Sequence, residues 1–254
     1  MMAPMVRTAL AIALVAATAS LAPAAVNDDF NDNTRSPQWS LVADDAARLN
    51  VVEQNGRLEV ISSGNGSATG DALYLSDGIA GFRMSTASSF EIAIRYSFTN
   101  FAPGSGTPPL GLVFGVGKDV AGFDSAAIGI SYVGASPSYG VSHRTDDVQP
   151  ALPDAFGPAS ATGTLVISYN AAGDDLAFAI EGGATLYTLN DTVNTVWDSG
   201  DLLVSFGARG SGLITASGDA YLDDFTVRSG SVVPEPAILS AVMLIGIGLL
   251  RRRA

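Results

Sequence analysis

Acidic side chains are the groups in this sequence that could do chemistry, and several of them stand in adjacent pairs. The pairs are Asp44-Asp45, Asp146-Asp147, Asp174-Asp175 and Asp223-Asp224. Two carboxylates about 5 Å apart on one face can hydrolyse a glycosidic bond with retention. Adjacent residues on a strand point to opposite faces, so a pair alone is not such a dyad. We therefore predict no enzyme, although carboxylates from different strands could still meet.

Other catalytic groups are scarce. The chain has no cysteine and a single histidine, His143. A cysteine nucleophile, a disulfide and a thiolate zinc site are therefore excluded, and a histidine-dependent triad would have to use His143. Because His143 lies between Ser142 and Arg144 at the expected end of a strand, we interpret it as a surface or edge histidine.

Acidic residues near both ends of the central region could hold a structural calcium ion, which takes six to eight oxygen ligands. Asp28 and Asp29 lie near the first expected strand, and Asp223 and Asp224 lie on the last. Terminal strands of a sandwich are often neighbours, so these four carboxylates could converge. The alternative, favoured by the absence of a calcium-loop motif, is that they are solvated at turns and edges.

Aromatic side chains could form a sugar-binding platform, because the C–H face of a sugar stacks on a ring. The candidates are Tyr132, Tyr139, Tyr187 and Trp197, and Trp197 precedes an aspartate in an expected loop. Trp39 is expected in the core. Ordinary core packing is the alternative explanation for each of the candidates.

The charge of the chain excludes nucleic acid as a partner. The formal net charge is −12, Lys118 is the only lysine, and the arginines of the central region are scattered. A phosphate backbone requires clustered lysine and arginine. The acidity fits an extracellular surface, calcium binding or simply solubility.

The elements that must position these residues are β-strands. Asn55-Gly56 between two alternating segments predicts a hairpin with a type I′ turn. Residues 90–98 alternate between apolar and polar side chains, which predicts a strand with one buried face. Further strands are predicted at 110–116, 126–133, 139–143, 165–169, 176–181, 202–206 and 221–227, and a long loop at 144–163. We predict an all-β fold, a single two-sheet jelly-roll sandwich over residues 25–229.

Residues 1–24 predict a secretory signal peptide. Arg7 supplies the positive charge, a short apolar run follows, and Ala22 and Ala24 occupy the two small-residue positions that signal peptidase reads. We expect cleavage after Ala24 or Ala25. A buried helix is the alternative interpretation.

Residues 230–254 predict a membrane anchor. The apolar stretch 237–250 follows Pro234-Glu235-Pro236 and is close to the minimum length for a transmembrane helix. The cluster Arg251, Arg252 and Arg253 would hold the C-terminus on the cytoplasmic side. Physical chemistry alone therefore predicts a plain tail anchor.

This order of a Pro-Glu-Pro triplet, a short apolar stretch and an arginine cluster resembles the PEP-CTERM sorting signal of Gram-negative bacteria. The resemblance covers residues 233–254. It implies that a membrane transpeptidase, exosortase, recognises Pro234, Glu235 and Pro236. It further implies anchoring in the inner membrane in transit, then the cell surface or extracellular matrix, in association with exopolysaccharide and biofilm.

The central region resembles the concanavalin-like lectin, glucanase and laminin-G sandwiches. The segments that carry the resemblance are Asp28-Asp29-Phe30 before Trp39, and residues 54–60, 164–170 and 220–227. Glucanases of this class carry a strand with alternating acids, and this sequence lacks one. We therefore expect a non-enzymatic envelope or matrix protein. The alternatives are a carbohydrate-binding module, which predicts an exposed aromatic strip, and a glycoside hydrolase, which predicts carboxylates in a groove.

Overall fold

All regular secondary structure in the described part of the chain is β-strand. The computed structural model describes residues 26–63, 70–100, 102–103, 109–122, 124–133, 135–149, 153–214 and 216–234. The strands in these ranges are β1 (Ser40–Ala43), β2 (Leu49–Gln54), β3 (Arg57–Ser62), β4 (Gly70–Leu75), β5 (Phe82–Ser85), β6 (Phe90–Phe98), β7 (Ala102–Pro103), β8 (Gly111–Gly117), β9 (Ser125–Val133), β10 (Ser136–Arg144), β11 (Ala155–Pro158), β12 (Thr162–Asn170), β13 (Asp175–Ile180), β14 (Thr185–Leu189), β15 (Asp201–Gly210), β16 (Gly212–Leu213), β17 (Ala220–Ser229) and β18 (Val232–Pro234). The predicted all-β class is confirmed.

Two antiparallel sheets form a sandwich, as predicted. The nine-stranded sheet has the order β1-β4-β15-β8-β9-β10-β11, and β5 and β18 extend it beside β15. The seven-stranded sheet has the order β14-β13-β12-β6-β17-β3-β2. Strands β7 and β16 pair separately. Because chain neighbours such as β8, β9 and β10 lie side by side, short loops connect them at the two ends of the sandwich.

The core lies between the sheets and is rich in aromatic rings. The inward positions of β6 are fully or almost fully buried, as its alternation predicts. Trp39 packs edge-on against Phe206 of the nine-stranded sheet at 4.7 Å and against Phe225 of the seven-stranded sheet at 5.2 Å between ring centroids. These contacts tie the N-terminal segment to both sheets, and the core position expected for Trp39 is confirmed.

The hairpin between β2 and β3 has the predicted turn. Asn55 and Gly56 both have positive φ angles, of 56° and 69°. A type I′ turn requires this conformation at both central residues, and its twist matches the flanking strands. The turn sets the register in which Gln54 pairs with Arg57.

One prediction about the connections is wrong. Residues 144–163 are not a single loop, because β11 pairs with β10 and β12 begins at Thr162. Pro158 ends β11, and proline is confined to edge strands and strand ends, so a four-residue edge strand was hidden in a loop-like composition. The sheet also continues beyond residue 229, since β18 pairs with β5 up to Pro234.

Most of the two predicted targeting segments lies outside the described residues. This applies to the signal peptide with Ala22 and Ala24, to Glu235 and Pro236, to the stretch 237–250 and to Arg251, Arg252 and Arg253. In the part of the chain that the structure describes, no helix is long and apolar enough to cross a membrane.

Candidate functional site

The outer face of the nine-stranded sheet is the candidate site. Strand alternation directs Phe114 of β8 and Ile128 of β9 into the core, where both are fully buried. Their chain neighbours therefore point outwards, and the register places Gly115 opposite Ala127 on the outer face.

Glycines in β8 allow the sheet to curve towards this face. A Cβ added at Gly115 would lie 2.9 Å from the Cβ of Ala127, and one at Gly117 would lie 3.0 Å from the Cβ of Ser125. Opposed Cβ atoms are normally about 4.5–5.5 Å apart. The two strands thus approach each other closely on the outer side, with glycine at the tightest positions, and we call the outer surface of this sheet the groove.

Small side chains form the floor of the groove, which leaves it open to a ligand. Most outward positions have a short or absent side chain: Gly111, Gly115, Gly117, Ser125, Ala127, Gly129, Ser131, Ser138, Gly140, Ser142, Ser205 and Gly207. The larger outward side chains on these strands include Val113 in the middle of β8, and Arg144, Leu203 and Arg209 towards the strand ends. Serine hydroxyls both donate and accept hydrogen bonds. The serine hydroxyls on either side of Val113 can therefore bond a polyhydroxylated ligand.

Carboxylates on the strands of this face are too far apart for acid–base catalysis. Among the described residues these strands carry Asp71 and Asp201. Asp71 is opposite Arg209, eight positions along β15 from Asp201, or about 26 Å. Both carboxylate oxygens of Asp71 accept hydrogen bonds from Arg209 at 2.7 Å, and this interaction raises the pKa of Arg209. A retaining dyad needs about 5 Å.

Phe156 supplies an aromatic surface at the edge of the groove. It is 54% exposed, and no other aromatic side chain in the described part of the chain is classed as exposed. It lies on β11 opposite Gly140 of β10, so its ring has an open neighbour on the same face. Phe156 was not among the predicted platforms because residue 156 was expected to lie in a loop. The alternation of Ala155, Phe156, Gly157 and Pro158 was the available signal.

All four aromatic residues predicted as ligand platforms face inwards instead, and Tyr187 lies opposite the fully buried Phe178. Tyr132 donates a hydrogen bond to the carbonyl oxygen of Phe98 at 2.8 Å and packs edge-on against that ring. The ring of Tyr139 covers Gly157 on the core side of the sheet. Trp197 is completely buried, and its Nε1 donates to Thr145 Oγ1 at 3.3 Å. The prediction that Trp197 is a loop platform is wrong, because its loop folds the indole into the core.

The predicted calcium residues lie where the two chain ends of the sandwich meet. Asp28 and Phe225 form a backbone bridge, so the terminal segments are neighbours, as expected. An open cleft of about 370 Å³ lies beside the bridge. Its lining shares a polar character and consists of Asn27, Asp28, Asp29, Asp32, Ser36, Asp224, Phe225 and Thr226.

The four predicted calcium ligands do not come together as a set. Asp28 accepts hydrogen bonds from the backbone N–H of Phe30 at 3.0 Å and from Nε1 of Trp39 at 2.7 Å. Asp223 does not line the cleft and is paired with Arg95, which also reaches Asp224 at 3.2 Å. In the described part of the chain, no group of three or more acidic, histidine or cysteine side chains is arranged to hold a metal.

The two glutamates of the first hairpin have pKa values shifted in opposite directions. Burial, together with the negative charge of Asp28, raises the pKa of Glu53 to about 7. Burial also opposes ionisation of Glu59, but hydrogen bonds led by Ser217 and Asn55 outweigh it and lower the pKa to about 2. Neither residue lies on the groove. Their pKa shifts therefore affect how the stability of the fold depends on pH, not the chemistry of the candidate site.

The only histidine also has a structural partner. His143 is the penultimate residue of β10, and its Nδ1 lies 2.7 Å from Asp154 Oδ2. The chain has no cysteine, and the carboxylate of Asp154 holds this imidazole. The pair ties the end of β10 to the segment that leads into β11.

Comparison with known proteins identifies the fold. No family model matches the sequence, and no curated protein matches it either. Among solved structures, an endo-1,3-β-glucanase from Streptomyces sioyaensis aligns with a TM-score of 0.54 and 11% identity over 82% of this chain and 95% of the glucanase. The chain has the concanavalin-like β-sandwich fold.

Two further structures share this fold at similar distance. The Bacteroides ovatus protein described as Xyloglucan PUL GH43B aligns with a TM-score of 0.54 and 17% identity over 81% of this chain, which spans only 39% of that protein. The CBM2 module of the Lactobacillus casei BL23 phage J-1 evolved Dit protein aligns with a TM-score of 0.50 and 13% identity, covering 82% of this chain and 96% of the module. At these identities the likeness concerns the fold alone.

Proposed function

We propose that this chain is an exported, non-enzymatic protein of the cell envelope that binds exopolysaccharide in the groove of its nine-stranded sheet. The observation that carries the proposal is the exposed ring of Phe156 beside a floor of glycine, alanine and serine. A ring can stack on the C–H face of a sugar, and serine hydroxyls can bond its hydroxyl groups. The wide separation of Asp71 and Asp201 argues against hydrolysis as the alternative.

The test of this proposal separates binding from turnover. The full chain is incubated with a panel of bacterial exopolysaccharides and β-glucans, and both retention and release of reducing ends are measured. We expect retention of at least one acidic or neutral glycan with no reducing ends released. Release of reducing ends by the wild-type chain would support the hydrolase instead.

We also propose that the chain is sorted by an exosortase-type system after signal peptidase has removed residues 1–24. The support is the order of Pro234-Glu235-Pro236, the apolar stretch 237–250 and Arg251–Arg253. The tail would anchor the protein in the inner membrane in transit, before it reaches the surface or the extracellular matrix. A strain with an exosortase should release a product cut near Pro234, whereas a strain without one should retain the full tail. If both strains contain the same uncut form, the tail is a plain membrane anchor that exosortase does not process.

We propose a structural calcium ion only in the cleft beside the Asp28–Phe225 bridge. Asp28, Asp29, Asp32 and Asp224 line it, but Asp224 also pairs with Arg95 and the described carboxylates are not arranged as a preformed metal site, so calcium would have to draw them together. A ligand that binds only the folded state raises the melting temperature by mass action. Millimolar Ca²⁺ should therefore raise the melting temperature of the wild type but not of Asp224→Asn. Equal melting temperatures with and without Ca²⁺ would show that the cleft does not bind this ion.

A further inference from the structure

The Asn55-Gly56 turn between β2 and β3 carries the groups for a spontaneous reaction. The backbone nitrogen that follows an asparagine can attack the side-chain Cγ, and a glycine in that position has no Cβ to hinder the attack. A C–N bond forms, ammonia leaves and a five-membered succinimide remains. Water then opens the ring at either carbonyl group, which leaves aspartate or isoaspartate. Water is therefore the only co-reactant of this deamidation.

The structure holds the attacking nitrogen away from this reaction. The backbone N–H of Gly56 donates a hydrogen bond to Oδ1 of Asn33 at 2.9 Å, across 23 positions of the chain. The attack requires this nitrogen to lose its proton and to turn towards Cγ of Asn55. The hydrogen bond opposes both steps, because its energy is lost when the N–H is removed or redirected.

The amide group under attack is held as well. Nδ2 of Asn55 donates to Oε1 of Glu59 at 3.1 Å and to Oγ of Ser217 at 3.2 Å. Hydrogen bonds to a carboxylate are stronger than those between neutral groups. Rotation of the Asn55 side chain towards the nitrogen of Gly56 would break both bonds, so the turn is restrained on each side of the bond that would form.

The N-terminal segment places Asn33 over the turn. Phe30 anchors this segment in the core with no exposed surface, and Nδ2 of Asn33 donates to the carbonyl oxygen of Asn31 at 3.4 Å. The φ angle of Asn33 is 55°, a conformation that asparagine and aspartate tolerate better than most residues. A Cβ added at Gly56 would lie 2.8 Å from Oδ1 of Asn31, so the segment lies directly against the turn.

We propose that Asn55 is a deamidation site that the folded chain keeps inactive, and that Asn33 is the positioning residue that protects it. Protection ends when the N-terminal segment lifts from the turn in a local opening. Deamidation of Asn55 therefore marks molecules in which this opening has occurred.

The modification would weaken the hairpin. In the aspartate product, a carboxylate replaces the amide that donates to Glu59, so two like charges face each other. In the isoaspartate product, the backbone of a two-residue turn gains a methylene group, which no longer fits the type I′ geometry that sets the strand register.

The full chain, incubated in mildly alkaline buffer either folded or unfolded in guanidinium chloride, tests the protection. Peptide mapping by mass spectrometry follows Asn55 separately, because a second Asn-Gly pair, Asn65-Gly66, lies outside the described residues and would contribute to the intact mass. We expect Asn55 to be lost at least about tenfold more slowly in the folded chain. Equal rates in the two states would overturn the proposal.

Two substitutions at position 33 form a matched pair. Asn33→Gly tolerates the positive φ angle but has no acceptor, whereas Asn33→Asp tolerates the angle and keeps an acceptor oxygen. We expect Asn33→Gly to speed the loss of Asn55 about fivefold, the factor equivalent to one net hydrogen bond, and Asn33→Asp to stay near the wild type. Melting temperatures verify that both variants are folded. An unchanged rate in folded Asn33→Gly would overturn the role of Asn33.

Two further measurements do not depend on variants at position 33. Hydrogen exchange at the Gly56 amide of the wild type should be slowed, and exchange as fast as in the unfolded chain would overturn the proposal. Asn55→Asp, which reproduces the aspartate product, should melt at a lower temperature than the wild type because its carboxylate faces Glu59. An equal or higher melting temperature would overturn the inferred weakening of the hairpin.

Discussion

At the scale of single residues, the first hairpin places two glutamates in opposite environments. Glu53 of β2 points into the core, is 6% exposed and has no hydrogen-bond partner for either carboxylate oxygen. Glu59 of β3 lies on the outer face, where Ser217, Asn55, Gln54 and Arg57 all donate to it. A buried carboxylate without donors favours its neutral form, whereas one surrounded by donors stays ionised.

Glu53 should make the protein less stable as the pH rises. Its pKa is near 7 in the folded state, against 4.5 as the reference value, so between these pH values the folded state binds more protons than the unfolded state. The free energy of unfolding should therefore fall from about pH 4.5 to pH 7, by at most about 3 kcal/mol. Glu53→Gln, which cannot ionise, should flatten this fall and be more stable than the wild type at pH 8.

Denaturant unfolding at pH 5 and pH 8 checks this prediction. Asp45→Asn is the matched control, because Asp45 is half exposed and makes an ion pair with Arg48 that is open to solvent. Such exposed pairs contribute about 0–1 kcal/mol. If Glu53→Gln and the wild type lose the same stability between the two pH values, Glu53 is not the group that titrates.

At the scale of elements, β8 determines the shape of the groove. Gly115 is the position where a side chain would collide with both Ala127 and the carbonyl oxygen of Ala126. Gly140 of β10 lies on the same face, and nothing lies within 4 Å of a Cβ built there. The two glycines therefore have different roles, one in the curvature and one in the open floor.

Substitution of these two glycines should show whether stability depends on the close approach of β8 and β9 or on the loss of any glycine from this face. Gly115→Ala should lower the free energy of unfolding by about 1–3 kcal/mol, the range for overpacking, because β8 and β9 must move apart. Gly140→Ala should change it by less than about 1 kcal/mol. Thermal or denaturant unfolding measures both. Equal effects would mean that the close approach of β8 and β9 does not determine the curvature.

Elements with strong local signals could be predicted from the sequence. The alternation of residues 90–98 and the Asn55-Gly56 turn determine their own structure, and both were predicted correctly. Short strands that depend on pairing could not be predicted, and β11 and β18 are examples. Phe156 was missed for the same reason, since an aromatic residue becomes a surface platform only once its strand has a partner.

At the scale of the whole molecule, the candidate site depends on contacts between residues distant in sequence. The groove combines outward residues of β4, β15, β8, β9, β10 and β11, and no local pattern reveals that these residues share one surface. The sequence also could not show that Asp223 pairs with Arg95 or that Trp197 folds into the core. These outcomes depend on how loops close over the finished sandwich.

Filling the groove is the sharpest test of whether a glycan binds there. Gly140→Leu places a bulky side chain in open space beside Phe156, whereas Ala177→Leu, on the outer face of the seven-stranded sheet, adds the same group away from the groove. Both variants and Phe156→Ala are compared with the wild type by calorimetry on the retained glycan, with melting temperatures as folding controls. We expect Gly140→Leu and Phe156→Ala to weaken binding at least tenfold, or about 1.4 kcal/mol, while Ala177→Leu binds normally. Unchanged affinity in folded Gly140→Leu and Phe156→Ala would show that the glycan binds elsewhere.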